Sequence, residues 1–482
     1  MKITAQFRYL LAFELSLFFK KAWIYIALLT FLGVGFVGGS SFSAFSTENT
    51  YRNSPFAITY ILGYLSLICI FSSSILAAQV LFREQEHHFS MVLYTTPLKK
   101  TNFFLSRFLI VFGLSTITMF LLVVGFAAGQ QMSRFDASEM GPFHLWYYFQ
   151  PFLLITVPNA FLCSAVVCSI GLLTKNKLLV YISGLFIFIA YQVSLIFSGS
   201  PLIAGAMPPT EESMLMAARF DPFGLSAFLH QTLQWSAIQR NTTLTALEGT
   251  MLFNRAFYLF LSFLMLVAAH RLFSFSADEK SKKVKEKPQV KASLAPYRIV
   301  LPKVFSIWHQ FRSFISLIKI DLTFVLKSIP FVLILIGIVF FVSMEMYGEV
   351  EQGIRMPQNY VSTALMVNTI LDTFPALCSL VILFYSNELL WRSRTSNFYL
   401  IESTTPVGLS VQFFAKWFSM ACIILLLIAG VLLAGIVFQL VYQYQHIEWL
   451  TYTSMGYLVG LPLILSSGMM IAIQQMIKNR YL

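Results

Sequence analysis

Long apolar runs dominate the chain, and short polar segments separate them. A helix needs about 20 mostly apolar residues to cross a bilayer. By this criterion the pattern predicts ten membrane-spanning helices, six before residue 300 and four after it. They fall near residues 22–39, 57–82, 108–129, 151–173, 178–198, 255–275, 328–344, 362–386, 417–440 and 452–474. The predicted fold class is therefore an all-α polytopic membrane protein.

The composition agrees with these spans. Hydrophobic residues make up 57% of the 482 residues and charged residues only 11%, whereas soluble domains carry about 25% charged residues. Soluble enzymes, disordered proteins and fibrous proteins are excluded. The five cysteines lie in apolar runs, so we expect buried thiols, with neither disulfides nor metal ligands among them.

The distribution of basic residues predicts the orientation. With a cytoplasmic N-terminus, 27 of the 33 Lys and Arg residues lie on the inside and six lie outside. Because Lys and Arg are enriched in cytoplasmic loops, this orientation is favoured over the reverse. Both termini are then cytoplasmic, and residues 1–21 form an amphipathic helix on the membrane surface. The net charge of +12 reflects this bias, so we expect no nucleic-acid partner.

The sequence repeats itself at nearly constant offsets. At an offset of 307, Glu14 and Lys20 match Asp321 and Lys327 directly before a span. At an offset of 309, a second set of positions matches after the second span of each half. Arg83, Phe89, Thr95-Thr96-Pro97, Phe104 and Arg107 correspond to Arg392, Phe398, Thr404-Thr405-Pro406, Phe413 and Lys416. Six spans separate the copies, so both begin on the same side and form a parallel repeat.

The repeat divides the chain into three parts. Residues 1–275 form the first copy, with a surface helix and six spans, and 276–309 form a basic cytoplasmic linker. Residues 310–482 form the second copy, with a surface helix and only four spans. The second copy is thus incomplete. Either the chain is a fragment, or a further chain completes the second repeat, or that repeat is genuinely reduced.

Two motifs carry a family resemblance. They are Asn53-Ser54-Pro55-Phe56 before the second span and Tyr94-Thr95-Thr96-Pro97 after it. The arrangement resembles the type 2 ABC transporter permeases, and more closely the duplicated membrane region of bacterial permease/metallo-aminopeptidase fusion proteins. The resemblance implies a permease subunit of an ATP-driven ABC exporter in the bacterial inner (plasma) membrane.

The resemblance also implies two coupling segments, 83–107 and 390–416, that dock on a separate cytoplasmic ABC ATPase. Their candidate residues are Arg83, Glu84, Glu86, Thr95, Thr96 and Pro97 in the first copy and Arg392, Thr404, Thr405 and Pro406 in the second. Glu84 and Glu86 would meet basic residues of the ATPase. Ser393 and Thr395 replace them in the second copy, so we expect unequal docking. The alternative is a solvated turn at the lipid headgroups.

Several motifs are missing from the sequence. It has no G-x-x-x-x-G-K-[ST] stretch, so any ATP is used by a partner subunit. It has no H-E-x-x-H stretch, and the adjacent His87 and His88 cannot both face one metal from a single helix. We therefore predict a transport subunit that is not an enzyme, with no catalytic residue, metal site or cofactor of its own.

Asp372 is the only acid well inside a predicted span. An intramembrane carboxylate suggests a functional role, such as sensing protons or binding a cationic substrate. It also lies close to Pro375, where it would cap a helix break. The first role would favour a proton-coupled secondary transporter, although the sequence has no clear pair of broken helices at matching positions. A third hypothesis is a membrane anchor or scaffold for a missing C-terminal domain.

Overall fold

The computed structural model describes residues 5–41, 50–86, 95–132, 139–198, 211–274, 307–351, 360–395, 407–444 and 446–476. Every regular element in these ranges is a helix. The predicted all-α polytopic fold is confirmed. The linker over 276–309 lies almost entirely outside the described residues, as do His87, His88, Thr404, Thr405 and Pro406.

The first copy begins with a surface helix and the six predicted spans. These helices are α1 (Ala5–Phe19), α2 (Ala22–Ser41), α3 (Pro55–Leu65), α4 (Ile68–Leu81), the short α5 (Arg83–Glu86), α6 (Lys100–Met132), α7 (Trp146–Thr174) and α8 (Lys177–Phe197). Three short helices follow: α9 (Glu211–Phe220), α10 (Leu225–Thr232) and α11 (Ala237–Thr242). The sixth span is α12 (Gly249–Leu272).

The second copy contains a surface helix and four spans among the described residues. They are α13 (Ile307–Leu326), α14 (Ile329–Glu351), α15 (Thr363–Thr395), α16 (Leu409–Val441) and α17 (Trp449–Met476). Over the whole described part of the chain, nine helices are long and apolar enough to cross a membrane, and α3 with α4 forms a tenth, bent span. Each falls on one of the ten apolar runs.

Local sequence explains where two of the spans begin. Ser54 caps α3 by accepting a hydrogen bond from the backbone N–H of Ala57, and Pro55 occupies the first turn. Between α7 and α8, Lys175 adopts a left-handed conformation and Asn176 caps α8. This two-residue turn makes α7 and α8 antiparallel neighbours.

The two copies share one packing pattern. In each, the surface helix lies on the third span, and the third span packs against the first, second and fourth. The second span also packs against the fourth. The fifth span, α8, crosses between the copies: it packs on α14, and Tyr181 stacks on Phe384 of α15 with ring centroids 5.3 Å apart. One core cluster therefore contains residues of both copies.

Candidate functional site

Four charged residues meet where the second span ends, at the predicted cytoplasmic face. Glu14 Oε1, in α1, lies 2.5 Å from Arg83 Nη2 and 2.7 Å from Nη1 of Arg107 in α6. Glu84 lies 3.2 Å from Arg83 Nη2 and is also hydrogen-bonded by Arg107. Glu14, Glu84 and Arg107 are only 4%, 8% and 3% exposed. We call Glu14, Arg83, Glu84 and Arg107 the first joint.

The first joint is internally compensated, because two carboxylates face two guanidinium groups. Such balance is needed, since a buried charge without a partner is strongly destabilising. Burial lowers the pKa of Arg83, but its hydrogen bond to the Glu14 carboxylate and the charges of both glutamates outweigh burial, so the pKa of Arg83 is raised. The cluster joins α1, the end of the second span and the start of the third.

The second copy has a corresponding cluster in a looser form. Asp321 of α13 lies 3.8 Å from Arg392 Nη1 and 3.9 Å from Lys416 Nζ. Lys416 instead donates a 2.9 Å hydrogen bond to the backbone carbonyl of Leu389. We call Asp321, Arg392 and Lys416 the second joint. Its residues match Glu14, Arg83 and Arg107 at the repeat offsets of 307 and 309.

The predicted coupling residues divide into a buried and an exposed group. Glu84 is buried in the first joint, and its carboxylate faces Arg107 and Arg83. The side chain of Glu86 is outside the described part of the structure. Thr95, Thr96 and Pro97 are exposed beside α1.

One hydrogen bond joins the exposed turn to the surface helix α1, and a second joins α1 to α6. Gln6 Nε2 donates to the backbone carbonyl of Pro97 at 3.1 Å, and Asn102 Nδ2 donates to Gln6 Oε1 at 2.8 Å. Position and orientation of the turn are thus set by α1 as well as by α6.

Asp372 lies in the middle of α15, on a face that also exposes Asn368 and Ser379. The helix runs unbroken through Pro375. The structure therefore has no helix end at this point for Asp372 to cap, and that explanation of the residue is wrong.

A helix break does occur at the matching position of the first copy. Ser66 corresponds to Pro375 at the offset of 309, and the second span bends there by 40° between α3 and α4. The Ser66 hydroxyl donates to the carbonyl of Gly63 and accepts a 2.8 Å hydrogen bond from Asn159 Nδ2. These hydrogen bonds pair the polar groups at the bend and so stabilise it within an apolar span.

A buried arginine lies beside this break, and sequence reasoning missed it because it was counted only as an outside charge. Arg255 is 4% exposed. It donates to Asn159 Oδ1 at 2.9 Å, to Asn254 Oδ1 at 2.6 Å and to the carbonyl of Pro222 at 3.2 Å. Gly224 has φ +74°, and a Cβ atom there would lie 2.0 Å from Arg255 Nη2. The turn between α9 and α10 therefore closes directly over the guanidinium.

A second feature that sequence reasoning missed is duplicated. Tyr148 donates to Gln130 Oε1 at 2.7 Å, and Gln130 Nε2 donates to the carbonyl of Arg52 at 3.0 Å. In the second copy, Tyr452 donates to Gln439 at 2.7 Å, and Gln439 donates to the carbonyl of Val361 at 3.2 Å. In each copy a π-helical segment follows the tyrosine in the fourth span, at Phe152–Thr156 and at Gly456–Gly460.

The cysteines are free thiols, four of them buried, with Cys422 half-buried. The Sγ atoms of Cys69 and Cys163 lie 3.5 Å apart. Among the described residues, no three His, Cys, Asp or Glu side chains are grouped to hold a metal ion.

Part of the chain is similar to a known protein family. Residues 10–191 match the family model described as ABC-2 family transporter protein. The matched range includes the whole first joint and most of the first five spans. Over this range the chain is similar to ABC-2 family transporter proteins. No curated protein and no solved structure matches the chain.

Proposed function

We propose that this chain is the membrane-spanning permease subunit of an ATP-driven ABC exporter. Segments 83–107 and 390–416 couple it to a separate cytoplasmic ATPase. It resides in the bacterial inner membrane with both termini in the cytoplasm. The observation that carries this proposal is the ionic joint that recurs, at the repeat offset, at the end of the second span in both copies.

The joints suit coupling for a mechanical reason. Closure of a soluble ATPase dimer moves membrane helices only through a cytoplasmic segment that is firmly attached to them. The first joint attaches such a segment to the second and third spans and to α1. Because Glu84 is buried, we propose that the exposed Thr95, Thr96, Pro97 and Lys99 contact the ATPase, while Glu84 braces the segment from within.

Copurification of an ATP-hydrolysing subunit with the tagged chain tests this assignment. Thr96→Asp combined with Lys99→Glu alters only exposed side chains, and we expect it to lower the bound ATPase at least tenfold. Thr174→Asp, at the exposed end of α7, is the matched control and should retain the bound ATPase. Unchanged ATPase binding in the Thr96/Lys99 variant would show that this turn is not the docking site.

We further propose that another chain or a missing segment completes the second repeat. The support is the exposed face of α15. Asp372 and Ser379 are exposed there, whereas their first-copy counterparts at the offset of 309, Gly63 and Ile70, are buried. Leu225 of α10 covers Gly63, and α8 packs along α4. Polar and small side chains in a span normally face protein, not lipid.

A photo-crosslinking amino acid at Ser379 tests this completion. We expect protein adducts at Ser379 and lipid adducts only at Leu433, an apolar residue of α16 that is 63% exposed. Lipid adducts alone at both positions would contradict the proposal.

Proton-coupled transport is the second candidate function. Asp372 supports it, because this carboxylate is exposed in the middle of a span. Under the exporter proposal, Asp372→Asn leaves transport dependent on ATP. Flux that needs a proton gradient, needs no ATP and disappears in Asp372→Asn would favour the second candidate.

A further inference from the structure

We propose that the sixth span, α12, carries movement of the first coupling segment to the predicted outer face. Its inner end is attached to the start of α6, and its outer end holds the short helices α9 and α10. We call α9 and α10, with the turn between them, the outer cap. The source of the movement is the ATPase of the proposed function, on which this inference rests.

The inner end of α12 is attached to the first turns of α6. Lys100 Nζ donates a 3.1 Å hydrogen bond to the backbone carbonyl of Arg271, and Thr101 Oγ1 lies 3.2 Å from His270 Nε2. Two aromatic contacts add to these bonds. They are Phe103 with Phe273, at a centroid distance of 5.9 Å, and Phe104 with His270, at 5.4 Å. Because Lys100 directly follows the exposed Lys99, a displacement of the exposed turn also displaces the end of α12.

The outer end of α12 holds the outer cap by hydrogen bonds. The last carbonyls of a helix have no partner within that helix, and α12 supplies donors for the end of α9 and the turn after it. The donors are Asn254, Arg255 and Tyr258, and the acceptors are the carbonyls of Ala218, Phe220, Asp221 and Pro222, at 2.6–3.2 Å. The outer cap therefore follows the outer end of α12.

The outer cap is itself held together by one buried carboxylate. Asp221 is 1% exposed, and its carboxylate accepts hydrogen bonds from the backbone N–H groups of Phe223, Gly224 and Ser226. These groups lie in the turn and at the start of α10, so the carboxylate joins the end of α9 to α10. The two short helices would thus move as one unit.

Two neighbouring spans are interrupted beside α12, whereas α12 itself is continuous. The second span bends at Ser66, and the fourth span has its π-helical segment directly before Asn159. Asn159 is hydrogen-bonded to both Ser66 and Arg255, so the interruptions lie next to the outer part of α12. From Arg255 to His270, α12 extends about 23 Å at 1.5 Å per residue. Movement along the second or fourth span can be taken up at its interruption, but α12 transmits it.

Detaching the inner end of α12 tests this connection without any ATPase. His270→Ala combined with Phe273→Ala removes both aromatic contacts with α6. Phe260→Ala combined with Phe263→Ala is the matched control, because these rings of the same helix are 66% and 60% exposed. Amide hydrogen exchange of the full chain in lipid nanodiscs is the measurement. A helix held at one end fluctuates more, so we expect exchange in α9 and α10 to become about fivefold faster in the detached variant.

The control should leave exchange in the outer cap unchanged. If the detached variant also leaves it unchanged, the proposal is overturned, because a local role would alter exchange only at the ends of α6 and α12. If the detached variant fails to fold, Lys100→Met combined with Thr101→Val removes the two hydrogen bonds and keeps the aromatic contacts. The same comparison then applies to that variant.

A second measurement adds the ATPase. With ATP and vanadate, which trap the closed ATPase, we expect exchange in the outer cap of the unmodified complex to become about tenfold faster. The detached variant should bind the ATPase but lose most of this response. An equal response in the detached variant, or none in the unmodified complex, contradicts this inference. Absence of any bound ATPase on the unmodified chain contradicts the proposed function instead.

Discussion

The first and third spans pack differently in the two copies. Between α2 and α6, Gly35 and Gly39 face Gly125 and Gly129, and a Cβ atom at any of the four would lie 2.0–2.2 Å from a backbone oxygen of the other helix. Between α14 and α16, a Cβ atom at Gly430 would meet only the side chains of Leu335 and Val339, at 3.1 and 3.4 Å. The first and third spans therefore meet through backbone contacts in the first copy and through side-chain contacts in the second.

The first span is also buried to a different extent in the two copies, and here the span of the second copy is the more buried one. In α2, 22% of the apolar stretch is buried, whereas in α14 the share is 50%. The reason is α8, which lies against α14, while among the described helices no fifth span of the second copy lies against α2. The first copy thus leaves its first span largely open, whereas the first span of the second copy is covered in part by its neighbour. Three predictions test this contrast.

The largest effect is expected at Arg255, whose network occurs in the first copy. Arg255→Met would leave the buried oxygens of Asn159, Asn254 and Pro222 without their donor, at a cost of about 4 kcal/mol in stability. Arg271→Met, at the exposed end of the same helix, should cost less than about 0.5 kcal/mol. Thermal unfolding in detergent measures both. Equal costs would show that the network does not stabilise the first copy.

An intermediate effect is expected where the backbones touch. Gly35→Ala places a Cβ atom against the carbonyl oxygen of Leu122 and must separate α2 from α6, which should cost about 3 kcal/mol. Gly430→Ala meets only movable side chains and should cost less than about 1 kcal/mol. If both substitutions shift the unfolding midpoint equally, the contrast between backbone and side-chain packing is wrong.

The smallest effect is expected at the feature that the copies share. Tyr148→Phe and Tyr452→Phe each remove one hydrogen bond to a buried glutamine, at about 1 kcal/mol. Because the two networks match, their shifts in unfolding temperature should agree. A clear inequality would mean that the copies differ even here.

Apolar runs predicted the spans well but their ends and bends poorly. The third span was predicted over 108–129, yet α6 starts at Lys100, because Arg107 is compensated inside the first joint and the helix continues past the apolar run. The helix break at Ser66 contains no proline, whereas the helix that contains Pro375 is unbroken. A hydrogen bond from a residue distant along the chain stabilises the bend at Ser66. A local sequence pattern does not reveal such a contact.

The site was predicted in its parts but not in its assembly. The repeat identified Glu14, Arg83 and Arg107 as matched positions, since offsets can be read from sequence. These three residues meet only because α1 packs on α6. That contact joins residues far apart along the chain, so the sequence pattern does not show it. For the same reason Glu84 was predicted to face outward, although burial makes it an internal partner.

The central claim is that the two coupling segments face the cytoplasm, and cysteine labelling tests it most directly. Thr96→Cys and Ser410→Cys lie in exposed positions next to the joints, and Ile238→Cys lies on the predicted outer side, where the native side chain is 76% exposed. With an impermeant thiol reagent, we predict labelling of Thr96→Cys and Ser410→Cys only in inside-out vesicles and of Ile238→Cys only in intact cells. Labelling of Thr96→Cys or Ser410→Cys from outside would contradict the account.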